Sequence, residues 1–289
     1  MTSPIPLGVH ASIAGGLEKA LPRAEQLGCG AMQIFTANAS RWAAKSLTHE
    51  QVVSFRDTWR DSTIGKIFVH DSYLINLAAA DDEKWARSKQ AFAEELERCA
   101  LLGVDGLVMH PGAHLGTGEE TGLQRIACAF REILAQTAGE VQILLETTAG
   151  MGSHLGWRFE QLARIIELVP QHDFGICLDT CHIFAAGYDL SSAEGYRATM
   201  AEFEHRIGCD RIRLFHVNDS KKVCGSRVDR HEHIGQGAIG ETGFACLMRD
   251  ARFQDIPKIL ETPQGENHVW DRRNLALLRK LAGDTSCAP

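Results

Sequence analysis

Short apolar runs alternate along this chain with longer stretches in which apolar residues recur every three or four positions. Eight runs stand out: Pro6-Leu7-Gly8-Val9-His10, Ala31-Met32-Gln33-Ile34-Phe35-Thr36, Lys66-Ile67-Phe68-Val69-His70, Gly106-Leu107-Val108-Met109-His110, Val141-Gln142-Ile143-Leu144-Leu145-Glu146, Phe174-Gly175-Ile176-Cys177-Leu178-Asp179, Arg211-Ile212-Arg213-Leu214-Phe215-His216 and Pro257-Lys258-Ile259-Leu260-Glu261. Such a run, bounded by polar or Gly-containing segments, reads as a buried parallel strand. The runs end near 10, 36, 70, 110, 146, 179, 216 and 261, and each interval leaves room for a loop, a helix and a second loop.

The intervening segments carry helical signals. From Glu83 to Leu102, Trp85, Phe92, Leu96 and Cys99 fall on one face, and Gly103 follows as a left-handed cap. Thr48 with Gln51, and Ser191 with Glu194, have capping-box spacing ahead of further apolar residues. Eight strands with helical crossovers in 289 residues predict a (β/α)8 TIM barrel, a fold of about 250 residues. The rival, an open doubly wound sheet, would place a phosphate-binding Gly turn after its first strand, and Ala14-Gly15-Gly16 matches one poorly. With no linker, repeat or low-complexity tract, residues 1–289 are expected to form one domain.

Six of the eight runs end on a residue that can bind a metal: His70, His110, Glu146, Asp179, His216 and Glu261. Parallel strands present their C-terminal ends at one face, so three imidazoles and three carboxylates would converge there. Two local clusters add donors: His182 follows Asp179 by three residues, and Asp229 and His231 are two apart. Nitrogen mixed with carboxylate oxygen suits zinc better than magnesium or calcium. Nine donors exceed the needs of one tetrahedral ion and suffice for two or three if a carboxylate bridges. A lone strand-end His is more often a hydrogen-bonded rim residue than a ligand, and His10, His49, His114, His154, His172 and His205 keep that reading. Six converging strand ends differ, because burying so many ionisable groups without a cation is very costly. Cys181 reads as a core thiol.

The net charge of −7 argues at first against a nucleic-acid partner. Three divalent ions would add six positive charges to −7 and leave −1, so the balance weakens that reading without excluding it. The chain has nine Cys with no close CxxC pair, no apolar stretch long enough to span a membrane and no secretory pattern at Met1 to His10. A reduced, cytoplasmic, monomeric protein is expected.

Eight segments in order resemble the endonuclease IV family of zinc-dependent apurinic/apyrimidinic endonucleases. They are Gly8 to Ser12 with Gly15-Gly16, His70 to Leu77, His110 to His114, Leu145 to Gly150, Asp179 to His182 with Phe184 to Asp189, His216 to Lys221, Gly225 to His231, and Ile259 to Thr262. The resemblance implies a TIM barrel with three zinc ions at its C-terminal face, manganese being an alternative at one of them. It implies that His70, His110 and Glu146 hold one ion, that Glu146 bridges to a second held by Asp179, His216 and Glu261, and that His182, Asp229 and His231 hold the third. Glu261 and Glu146 would be catalytic, with Glu261 orienting the nucleophile or accepting its proton. The implied partner is duplex DNA, encountered on the nucleoid, cut 5′ to an abasic sugar to leave a 3′-hydroxyl and a 5′-deoxyribose phosphate. Removal of 3′-blocking groups is a second implied activity.

For DNA contact, Tyr73 and Leu74 match the family segment that enters the minor groove, while Arg227 and Arg230 could grip phosphates. The family typically has an Arg where Ser40 stands here, and Arg41, one position later, is the candidate replacement. The competing reading is a sugar isomerase or epimerase on the same barrel, using Glu146, Asp179, His216 and Glu261 for one divalent ion. That reading leaves His70, His110, His182, Asp229 and His231 without a role.

Overall fold

A computed structural model describes residues 5–42, 46–137 and 141–283. Eight parallel strands close into a barrel: β1 (Leu7–His10), β2 (Ala31–Ile34), β3 (Lys66–His70), β4 (Gly106–Met109), β5 (Gln142–Glu146), β6 (Gly175–Asp179), β7 (Ile212–His216) and, after a small antiparallel pair of β8 (Asp219–Ser220) and β9 (His231–Glu232), β10 (Lys258–Leu260). The first strand pairs with both β2 and β10, so the barrel has no free edge. The expected fold is therefore present. The second run ends at Ile34 rather than Thr36, and His110 and Glu261 lie one residue beyond their strands.

Strand periodicity divides the core into two parts. One face of each strand packs outward against the helices in a large apolar layer that includes Ile67, Val69, Leu107, Leu145, Ile176 and Phe215. The other face fills the barrel, where Ala31, Phe68, Val108, Leu144, Cys177, Leu214 and Ile259 form a separate buried cluster. Register pairs Gly8 with Ala31 and with Ile259. A Cβ on Gly8 would lie 2.0 Å from the carbonyl oxygen of Ala31, so this level of the barrel admits no side chain from β1.

The helices form where the sequence placed caps. In α2 (His49–Arg60), Thr48 and Gln51 make both capping-box bonds. In α3 (Asp82–Leu102), Asp81 accepts from the Lys84 N–H, and Gly103 ends the helix at φ 74°. Phe92, Leu96 and Cys99 on its predicted face are buried, with Trp85 packed against them. One cap differs: α7 (Ala193–Arg206) is capped by Ser192, whose hydroxyl accepts from Gly195 N–H, while Ser191 instead donates to Asp189. The remaining helices are α1 (Ala20–Glu25), α4 (Glu119–Leu134), α5 (Phe159–Leu168), α6 (Thr180–Ala186), α8 (Gly240–Arg249) and α9 (Val269–Gly283). Among the described residues no helix is long and apolar enough to cross a membrane, and all the cysteines are free thiols.

Burial pushes the Cys29 thiol up to about 12 and holds Cys99 and Cys177 well above the ordinary thiol range. A thiol raised in the folded state contributes stability that is intact below about pH 9 and is lost as pH rises toward the folded value. Replacing Cys29 by Ala should therefore flatten the fall in stability above pH 9 by about 1.4 kcal/mol per pH unit. Urea unfolding of both proteins at pH 8 and pH 10 checks this, and parallel pH dependences would contradict it.

Candidate metal centre

Two residues beyond the apolar plug, the same face of each strand carries a polar side chain. Stepping from Gly8, Ala31, Phe68, Val108, Leu144, Cys177, Leu214 and Ile259 gives His10, Gln33, His70, His110, Glu146, Asp179, His216 and Glu261. These eight residues ring the C-terminal mouth of the barrel, the face at which TIM barrels build their sites. His70, Glu146, Asp179 and His216 are buried, as is Gln33, while His110 and Glu261 are partly open.

Three further donors come from loops. Asp179 caps the N-terminus of α6, and the cap bond to the His182 N–H is 2.8 Å, which fixes where that helix begins. The imidazole of His182 is thereby brought beside the ring. Pairing of β8 with β9 returns the chain so that His231 and Asp229 also face it. The nine donors expected from the sequence fall into three sets: His70, His110 and Glu146; Glu146, Asp179, His216 and Glu261; and His182, Asp229 and His231. Within each set the ligand atoms lie within 4.8 Å of one another.

Glu146 stands in the middle. Its Oε2 is 3.0 Å from His70 Nε2 and 3.3 Å from His110 Nε2. Its Oε1 is 3.1 Å from His216 Nδ1 and 3.2 Å from His182 Nδ1. One carboxylate thus turns an oxygen toward each of two neighbouring sets, the arrangement a bridging ligand requires.

The outer nitrogens are oriented. The Nδ1 of His70 faces the Asp71 carbonyl at 2.9 Å, that of His182 faces the Thr147 carbonyl at 2.8 Å, and that of His231 faces the Glu261 carbonyl at 3.3 Å. Each bond leaves Nε2 facing a carboxylate of its own set, Glu146 for His70 and Asp229 for His182 and His231. Asn218 links two strands by donating to Asp179 Oδ2 at 2.7 Å and accepting from the Glu261 N–H at 2.8 Å. Holding one ring nitrogen so that the other is presented is the usual support for a metal-binding His.

The donor chemistry fits divalent cations. Among the described residues no hydrogen bond satisfies the buried Nε2 atoms of His110 and His231, although each has a carboxylate oxygen 3.3 Å away. Burial pushes the Glu146 carboxyl up, but the His216 and His110 imidazoles overcome it and hold the group well below the usual range. Asp229 is likewise held at about 2 against burial, chiefly by His182. In turn burial would lower His70, but Glu146 raises it to about 10, and Asp179 and Asp229 raise His182. Protons on imidazoles thus balance the carboxylates when no cation does. Burial keeps the Cys181 thiol protonated, with its value raised to about 12.

The proposed DNA-contact residues line the rim. Tyr73 is 66 % exposed, with its ring edge-on to Phe35 and a ring-centre separation of 5.4 Å. Leu74 is half-buried beside it. The Ser72 hydroxyl donates to the Ala39 carbonyl at 2.7 Å, tying this segment to the loop bearing Ser40 and Arg41. Both of those residues are exposed, and Arg41 lines a small cavity with Trp42, His70 and Ser72. Arg227 adopts φ 55° and stacks its guanidinium 3.7 Å from the Trp157 ring centre. Arg230 is exposed, donating to the Asp229 carbonyl. Two ring members were not anticipated. His10, read from sequence as a bland rim residue, lies 3.5 Å from Glu261 Oε1, and Gln33 was assigned no role. A lone polar residue inside an otherwise apolar strand was the available signal for Gln33.

The barrel is of one recognised class: a family profile described as xylose isomerase-like TIM barrel matches residues 21–281. Within that class the chain is 54% identical over 276 residues to a protein of Chloroflexus aurantiacus named probable endonuclease 4, covering 95% of this chain and 97% of that one. The crystal structure of endonuclease IV from Thermus thermophilus superposes with a TM-score of 0.84 at 38% identity, over 96% of this chain and 98% of that one. The chain belongs to the endonuclease IV family. A D-tagatose 3-epimerase-like protein also superposes, with a TM-score of 0.72 over 96% of this chain and 97% of that one, but at 18% identity, which shows the shared fold alone.

Because imidazoles carry protons in the metal-free centre, loading zinc should release protons. Affinity should then fall as pH is lowered from 8 to 6, by about tenfold per pH unit for each proton displaced. Calorimetric titration in buffers of different ionisation enthalpy checks it. Heats independent of buffer, with affinity unchanged by pH, would contradict it.

Proposed function

We propose that this protein is a DNA-repair endonuclease that hydrolyses the phosphodiester 5′ to an abasic site in duplex DNA, leaving a 3′-hydroxyl and a 5′-deoxyribose phosphate, and that it also removes 3′-blocking groups. It works as a monomer with one domain spanning 1–289. The observation that carries the reading is the nine-donor floor centred on Glu146, in a chain 54% identical to a protein named probable endonuclease 4.

His70, His110 and Glu146 would hold one zinc ion, Glu146, Asp179, His216 and Glu261 a second, and His182, Asp229 and His231 a third, with manganese an alternative at one of them. Bound there, the ions would lower the pKa of an attacking water and neutralise charge on the phosphoryl oxygens. The protein's own part is to place the reacting groups. Glu261, partly open at the mouth, orients the nucleophile and takes its proton. Arg230 and Arg227 lie on the loop that carries Asp229 and His231, so a phosphate gripped there is positioned relative to the floor. Tyr73 and Leu74, which follow β3, enter the minor groove and unstack the duplex at the lesion, and Arg41 fills the gap in the base stack. A nucleotide without its base costs least to extrude, so the same geometry favours abasic sites.

The sugar-epimerase reading is weaker. Four donors on β5, β6, β7 and β10 would satisfy one ion, but His70, His110, His182, Asp229 and His231 converge on the same floor and that reading gives them no work.

Purified protein should nick a duplex containing a tetrahydrofuran abasic analogue and carry about three zinc ions per chain. Glu261→Gln should stay folded and lose at least about a hundredfold in single-turnover rate. No nicking by fully metallated protein, or a single ion with ketose turnover, would overturn the assignment. A separate expectation concerns Tyr73→Ala: the preference for abasic over intact duplex should narrow by about tenfold or more, as loss of an inserted side chain implies. Competition between the two duplexes measures it, and an undiminished preference would remove Tyr73 from the recognition surface.

A further inference from the structure

Six of the eight ring positions carry proposed ligands. The other two, His10 on β1 and Gln33 on β2, sit together where β10, β1 and β2 meet. Gln33 is fully buried, and its side-chain amide makes three contacts. Nε2 donates to Glu261 Oε1 at 2.7 Å and contacts His10 Nδ1 at 2.9 Å, while Oε1 contacts His216 Nε2 at 2.8 Å.

The chemistry of these partners permits one orientation. An ionised carboxylate only accepts, so the amide NH2 must face Glu261. The carbonyl oxygen then faces His216, and this contact is a hydrogen bond only if His216 carries a proton on Nε2. His216 is left with Nδ1 as its ligating atom, and Nδ1 is the atom that faces Glu146 Oε1 at 3.1 Å and Glu261 Oε2 at 3.3 Å. This reverses the pattern of His70, His182 and His231, which turn Nδ1 toward backbone carbonyls and Nε2 inward. Among the described residues no backbone carbonyl serves His216 in that way; a side chain from a strand without a ligand does so instead. The second amide hydrogen goes to His10 Nδ1, so both amide hydrogens and the carbonyl are used.

The geometry points to Gln33 as a positioning residue for the metal centre: its amide fixes His216 in the Nε2–H tautomer and anchors Oε1 of Glu261, so that two side chains from adjacent strands present Nδ1 and Oε2 together. The inference rests on the metal-centre reading above. Gln33 does not touch the reacting atoms. It acts through His216 and Glu261, and His10 braces it from the far side.

The test uses zinc-loaded protein. Gln33→Met keeps the volume and removes all three contacts. It should release zinc to a colorimetric chelator about 10- to 100-fold faster than wild type, the usual effect of losing such a support. It should also lower kcat on the tetrahydrofuran duplex by a similar factor with KM unchanged, because phosphate contacts are untouched. Should the variant not fold, histidine-ring 1H–15N spectra of the wild-type zinc protein decide the matter alone. They should show a solvent-protected Nε2–H on His216, assigned by its loss in His216→Gln. A His216 protonated on Nδ1, or a folded Gln33→Met with wild-type zinc release and kcat, overturns the role of Gln33 while leaving the endonuclease reading intact. Wild-type protein that takes up no zinc overturns both.

Discussion

Burial of carboxylates against imidazoles at the mouth of the barrel is the constraint on which the rest depends. Glu146 and Asp179 are fully buried, and Glu261 is partly open beside them. An isolated buried carboxylate costs several kcal/mol even after relaxation, so these strand ends are tenable only beside matching positive charge. The neighbouring carboxylates raise His70, His182 and His216 toward their protonated forms, and divalent cations would balance the charge better, since each neutralises two carboxylates at once. The barrel makes this concentration of charge tolerable by holding it rigidly: the groups sit at or one residue past the ends of paired strands, over a buried apolar plug. A site on mobile loops could relax away from its own field, whereas this one cannot.

The same arithmetic explains how much could be read from the sequence. A period of two places every second residue of a strand on the inner face, so an apolar run ending in His, Asp or Glu announces both the strand and the donor. Six of the ring members were legible on that basis, along with the fold and the caps at Thr48 and Gly103. The family resemblance was likewise legible, because its motifs coincide with the strand ends. His10 and Gln33 were missed for one reason: each was judged singly, as a rim histidine and an unremarked strand residue. Counting two residues on from the plug position in every strand would have placed both in the ring. The Ser191 cap failed for a local reason, since Asp189 competes for that hydroxyl and Ser192 takes the helix.

What the sequence left open lies in the loops, where periodicity has no hold. Arg227 stacks on Trp157 in a left-handed backbone conformation, a geometry no spacing rule predicts. Such a conformation costs of order 1–3 kcal/mol and persists only where surroundings enforce it. Here the enforcement is visible: the Arg227 N–H donates to the Ala185 carbonyl at 2.8 Å and the guanidinium lies over Trp157, while Asp219 accepts from the backbone N–H groups of Ser220, Gly235, Gly237, Ile239 and Gly240 on either side of the loop. On the opposite rim, the Ser72 bond to Ala39 couples the Tyr73 segment to the Arg41 loop. Rim residues are thus referenced to the ring through few, specific bonds.

These two levels of organisation, ring and rim, build the floor in steps. Four donors at the ends of β5, β6, β7 and β10 are enough for one divalent ion. Adding His70 and His110 from β3 and β4 gives Glu146 a second face to serve. Adding His182 from α6 and the Asp229–His231 pair extends the floor sideways beneath the loop that carries Arg227 and Arg230. The floor thus runs from the barrel axis toward the loop of Arg227 and Arg230, away from the exposed ring of Tyr73 on the β3 side. The likeness to a D-tagatose 3-epimerase-like protein at 18% identity is a likeness of the barrel alone.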